Sequence, residues 1–269
     1  MTLVKLPRPS MALTSAITWA LVSLTTYPSQ VWAQSSRPIN NIPSSVKIRL
    51  IQSNQAKQEE PDFSGDGRPG RRAGGGSRSP CLPMELPLTA LMPVTNSGKT
   101  IAERPTFWFY VPYSPQEARS GEFVLQNEEN DDVSRTPFTL PKTPGFVSFS
   151  IPPTQPGLEI NKWYRWYFKL YCDPQKLSGS DFVEGWVQRI ELTTALDTQL
   201  KAAKPQEYIA YATNLIWYDA LDRLAQLRLT KPPNATLDND WAGLLKLRGV
   251  GLERLNRKPM IGSVNIIRN

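Results

Sequence analysis

Between Cys81 and Leu192 the chain alternates short apolar and polar runs, cut by Pro, Gly and Asn, at the period of two that a half-buried strand requires. Strands are expected over residues 88–94, 106–112, 121–127, 135–140, 145–152, 163–172 and 182–192. Seven short strands in so compact a segment predict a mainly β fold, a two-sheet sandwich of immunoglobulin-like or fibronectin-like type. A small barrel is the other solution. After Leu192 the pattern becomes helical, with helices expected over 194–203 and 206–229 and a third capped by Asp238 or Asp240 that runs through Trp241, Leu244 and Leu245 to Gly249. On the second, Trp217, Tyr218, Leu221, Leu224 and Ala225 share one side and Asp219, Asp222, Arg223 and Gln226 the other. A helical region this poor in apolar residues makes a weak core of its own and should pack on the β domain. Its place there is expected to be the outer face of strand 163–172; the alternative is that the stripe at Trp217 and Leu221 docks a second protein.

Strict alternation gives strand 163–172 two different faces. Tyr164, Trp166, Phe168, Leu170 and Cys172 point inward, whereas Trp163, Arg165, Tyr167, Lys169 and Tyr171 present an aromatic and cationic face. Three readings stay open for that face: cover by the helices, glycan or peptide binding through Trp163, Arg165, Tyr167 and Tyr171, and plain cross-strand pairing. The continuous aromatic run Phe107 to Tyr110 reads as a strand buried on both sides, with a binding platform at Trp108 and Tyr110 as the alternative.

The N-terminus changes the picture. Lys5 and Arg8 precede a mostly apolar run from Met11 to Leu24, and Val31-Trp32-Ala33 then places small residues three and one positions before Gln34, the pattern of a cleaved export signal over residues 1–33. Thr14, Ser15, Thr18 and Ser23 interrupt that run, which argues against an uncleaved anchor. No later segment is long and apolar enough to span a bilayer, so a periplasmic or extracellular protein is expected. An oxidising compartment permits a Cys81–Cys172 disulfide, two buried thiols being the alternative. Residues 34–80 read as a disordered Gly/Arg-rich linker, a spacer or a contact for anionic surfaces; nucleic acid is not an expected partner outside the cytoplasm.

The chain has no histidine, which excludes Ser-His-Asp and Cys-His hydrolysis and His-ligated metal chemistry. Carboxylate-pair chemistry or a lysine nucleophile remains open, with Glu184 and Glu122 as strand-borne candidates for the first. The cluster Glu128, Glu129, Asp131 and Asp132 reads as a solvated hairpin loop, because it lacks the spacing and glycine of a calcium loop. Ser97-Gly98-Lys99-Thr100 is like the end of a phosphate-binding loop, but Pro93 stands where the first glycine is required, so a turn between strands is expected. No catalytic residue, metal or cofactor is therefore expected.

Several segments, taken together, resemble a family of exported cyanobacterial proteins, domain of unknown function 928. They are Arg71 to Arg78 leading to Cys81, Glu103 to Tyr113, Arg119 to Phe123, Arg135 to Phe138, Trp163 to Phe168, Phe182 to Trp186, and Ile216 to Ala220. The resemblance supports the domain limits, a β domain over 81–192 and a helical region over 193–269, and it brings no activity or catalytic residue. Members of the family often occur beside genes for CHAT-domain proteins and two-partner secretion transporters, so the resemblance implies an accessory role in the cell envelope. The expectation is a non-enzymatic binding or scaffolding module whose partner is another envelope protein or a wall polymer.

Overall fold

A computed structural model describes residues 60–75, 81–173, 179–231 and 233–267. The expected export signal over residues 1–33 lies outside the described residues, as do linker residues 34–59 and 76–80. The fold is mainly β. Its strands are β1 (Thr89–Ala90), β2 (Ser97–Thr100), β3 (Thr106–Val111), β4 (Ser120–Gln126), β5 (Asp132–Thr139), β6 (Gly145–Ser150), β7 (Trp163–Tyr171), β8 (Asp181–Arg189), β9 (Met260–Ser263) and β10 (Asn265–Ile266). They form a four-stranded sheet, β1-β3-β6-β9, and a six-stranded sheet, β10-β5-β4-β7-β8-β2. Both sheets are mixed: β2 runs parallel to β8 and β9 parallel to β6, while the other pairs are antiparallel.

Each of the seven expected strands is present. Three further strands were not expected. The segment Ser97–Thr100 is strand β2 and not a turn, because the free edge of β8 recruits it despite its weak strand propensity. Gly98 permits the close cover this strand receives, since a Cβ there would lie 2.9 Å from the Tyr218 ring. The helical region also ends in β9 and β10, each of which joins one sheet.

Aromatic side chains fill the space where the sheets meet. Phe109 of β3 stacks on Phe168 of β7 with centroids 4.0 Å apart, and Phe123 of β4 stacks on Phe149 of β6 at 4.1 Å. The run Phe107 to Tyr110 is buried on both sides, as expected of a strand with helices behind it. Trp108, from the other side of β3, donates its indole N–H to Asp222 at 2.9 Å.

The helices are α1 (Thr194–Ala202), α2 (Glu207–Thr213), α3 (Trp217–Thr230) and α4 (Ala235–Lys246). The single helix expected over 206–229 is thus two, broken where Leu215 takes a left-handed φ of 57°. Asn234, not Asp238 or Asp240, caps α4, accepting the Thr236 and Leu237 N–H groups. The helices do not cover the outer face of β7. Helix α3 packs on β2 and β3, and Trp241 of α4 meets Phe146 of β6 at 5.3 Å. Consequently Trp217 and Leu221 are not a docking stripe. Both are fully buried, and Trp217 donates to the Leu91 carbonyl at 2.8 Å and packs edge-on against Phe63.

Residues 60–75 correct the linker reading, for they are built into the fold. Phe63 is buried, its N–H bonded to the Arg248 carbonyl at 2.9 Å. Arg71 exchanges backbone hydrogen bonds with Glu184 at the edge of β8, and the Arg72 guanidinium donates to the carbonyls of Met92, Val250 and Gly251. Composition hid this, because the segment is held by backbone pairing and arginine hydrogen bonds more than by apolar burial. At its end Gly75 N–H donates to the buried Asp181 carboxylate at 2.8 Å, and a Cβ on Gly74 would sit 2.4 Å from that carboxylate. Cys81 and Cys172 form the expected disulfide. Among the described residues no helix is long and apolar enough to cross a membrane.

Candidate functional site

The alternation of β7 is strict, with Tyr164, Trp166, Phe168 and Leu170 buried and Trp163, Arg165, Tyr167, Lys169 and Tyr171 half-buried on the outer face. The register brings a second aromatic row beside them. Arg165 lies opposite Trp186 of β8, Tyr167 opposite Glu184, and Lys169 opposite Phe182. The four β7 residues expected to bind, Trp163, Arg165, Tyr167 and Tyr171, therefore share one surface, from which Trp217 and Leu221 are absent.

Cations interleave with the rings of this surface. The Arg68 Cζ lies 4.0 Å from the Trp163 ring and 4.7 Å from that of Trp186. Arg165 lies 5.0 Å from Tyr167 and donates to Glu184 at 2.6 Å, Lys169 Nζ lies 5.3 Å from Tyr167, and Arg71 lies 4.5 Å from Phe182. Each such contact contributes about 0.5–2 kcal/mol, more where water is excluded, and leaves the guanidinium edge available to an acceptor. Burial raises the Tyr167 and Tyr171 hydroxyls above their ordinary range, with the Glu184 and Glu122 carboxylates respectively adding to it. Both phenols are neutral donors near pH 7.

Arg68, Arg71, Phe182 and Trp186 are additions to the residues expected to bind. Phe182 and Trp186 were legible in the sequence, since they alternate with Glu184 along β8 at the same period of two. Arg68 and Arg71 were not, because their segment carries no strand signal of its own.

The acidic candidates resolve into ion pairs. Glu184 pairs with Arg165 at 2.6 Å and Glu122 with Arg135 at 2.9 Å. They stand on β8 and β4, two strands apart across β7, which is roughly 10 Å laterally. Asp132, also bonded to Arg135 at 2.6 Å, is held below the usual carboxylate range by hydrogen bonds from Gln126 and Arg135. Glu128 pairs with Arg68 at 3.5 Å, and among the described residues no group of three or more acidic, cysteine or histidine side chains is arranged to hold a metal ion.

A different acid pair is half-buried beneath helix α3. Asp219 and Asp222, placed by the sequence pattern on the solvent side of their helix, instead border a cavity of about 60 Å³ with Thr100 and Arg104. Asp219 accepts the Ile101 N–H at 3.2 Å, and desolvation raises its carboxyl to about 6. Desolvation raises Asp222 too, against the Trp108 hydrogen bond. Their hydrogen bonds tie α3 to β2, β3 and the segment between them.

The model of one family, Domain of Unknown Function (DUF928), matches residues 73–260. The chain belongs to that family. The match takes in every strand from β1 to β8, all four helices and most of the outer-face residues, leaving Arg68 and Arg71 just outside it. No curated protein matches the chain.

Proposed function

We propose that this DUF928 protein is an exported, non-enzymatic binding module of the cell envelope that engages wall polymer through the outer face of its six-stranded sheet. The observation that carries the reading is the aromatic and cationic surface of β7 and β8, which the helices leave uncovered. Half-exposed rings offer flat apolar area to sugar faces, and cations held against those rings add charge contacts at little further ordering cost. The scaffold is a disulfide-closed sandwich of immunoglobulin-like general form, and the disulfide suits an oxidising compartment. The Lys5 to Ala33 segment supplies the export signal.

Cosedimentation with purified envelope polymer tests the reading. The native chain pellets, Trp163→Ala reduces pelleting at least severalfold, and Ile209→Ala, at an exposed site on α2, leaves it unchanged. Equal pelleting of all three chains, or of none, overturns it.

A further inference from the structure

We infer that one corner of the outer face, where Arg71 and Lys169 flank Phe182 and Tyr167, is a subsite for an acidic sugar carrying a carboxylate. The inference rests on the proposed binding surface and names the chemistry that surface selects.

The corner is set by register. Lys169 of β7 lies directly opposite Phe182 of β8, two pairs along from Tyr167 and Glu184 and on the same face. The Tyr167 and Phe182 rings are 6.4 Å apart at a tilt of 47°, a shallow aromatic floor. Arg71 is delivered from outside the sheet by its backbone pairing with Glu184, and its guanidinium lies 4.5 Å from the Phe182 ring. Lys169 Nζ lies 5.3 Å from the Tyr167 ring.

Charge separates this corner from the rest of the face. Arg165 is matched by Glu184, Arg135 by Glu122 and Asp132, and Arg68 by Glu128. Arg71 and Lys169 hold rings and, among the described residues, form no ion pair. Lys169 lies across the strand pair from Glu122 and within the field of Asp132, but Arg135 engages both carboxylates, so Arg71 and Lys169 leave positive charge beside one aromatic floor that attracts an anion. A guanidinium whose face rests on a ring keeps its N–H edge for an in-plane, bidentate acceptor, the geometry of a carboxylate. The Phe182 and Tyr167 rings meanwhile offer stacking area for the C–H face of a pyranose. A uronic acid residue within a polysaccharide supplies both features in one unit.

Calorimetric titration of the purified chain with tetragalacturonate, and with its methyl ester as a neutral copy of the same shape, tests the inference. Tetragalacturonate is expected to bind at least about tenfold more tightly than the ester, with the difference shrinking at high salt. Lys169→Gln and Arg71→Gln should each bring the acid down toward the ester. Arg71→Lys, which keeps charge and loses the planar fork, should fall between. Equal binding of acid and ester, no binding of either, or acid binding unchanged in both glutamine variants overturns the inference. If envelope polymer still pellets the chain in a Trp163-dependent way, the surface reading survives that result; if it does not, both fail.

Discussion

Trp166 donates its indole N–H to the Tyr218 hydroxyl at 3.0 Å, and that hydroxyl donates in turn to the Trp186 carbonyl at 2.9 Å. One phenol thus joins the inner face of β7, the backbone of β8 and helix α3. Tyr218→Phe keeps the ring, orphans a buried indole N–H and removes a second donor from the Trp186 carbonyl. The expected cost is about 1–3 kcal/mol, read as a lower urea midpoint at unchanged slope. An unchanged midpoint contradicts the assignment.

Asp219 makes stability depend on pH in an unusual direction for a carboxylate. Its folded value of about 6 lies above the ordinary 3.8, so the folded chain holds the proton more tightly than the unfolded one. This contribution is fully present below about pH 4 and is lost as pH rises through about 6, amounting to about 3 kcal/mol at most. Asp219→Asn keeps an acceptor for the Ile101 N–H and removes the titration. Denaturant melts at pH 4.5 and pH 8 should show the variant gaining on the native chain at the higher pH; a constant difference between the two contradicts the account.

The Cys81–Cys172 bond closes a loop of 91 residues. Its loss is expected to cost about 4–5 kcal/mol in the chain-entropy treatment. The double serine variant, compared with the oxidised native chain by urea denaturation, checks this figure, and a cost below about 1 kcal/mol contradicts it.

Gly74 packs where no side chain fits, against the Asp181 carboxylate that also accepts the Tyr113 hydroxyl at 2.7 Å. Gly74→Ala should displace residues 60–75 from the edge of β8. Limited proteolysis is expected to cleave near Arg71 and Arg72 in the variant well before it does so in the native chain. Identical digestion patterns would count against the placement of this segment.

The strands were legible because a half-buried strand writes its alternation into the sequence, and β7 did so without a break from Trp163 to Tyr171. The disulfide was legible from two cysteines and a compartment. What escaped depends on tertiary contacts. Strand β2 has no strand composition and exists because β8 offers an edge. Asp219 and Asp222 look like a solvent face on a helical projection, yet they find donors at the Ile101 backbone and the buried Trp108. Trp217 and Leu221 form an apolar stripe that the helical period makes plain, but the period does not say whether the partner is this chain or another. The outer face was half visible, with β7 plain and the contributions of Arg68 and Arg71 hidden in a segment that reads as spacer.

The most direct test of the binding surface is photo-crosslinking from the full chain in native envelope, with a benzophenone side chain in place of Tyr167 and, separately, of the exposed Ile209 on α2. The account predicts adducts with polysaccharide from position 167 and none above background from position 209. Polysaccharide adducts from 209 alone, or in equal yield from both positions, would contradict it.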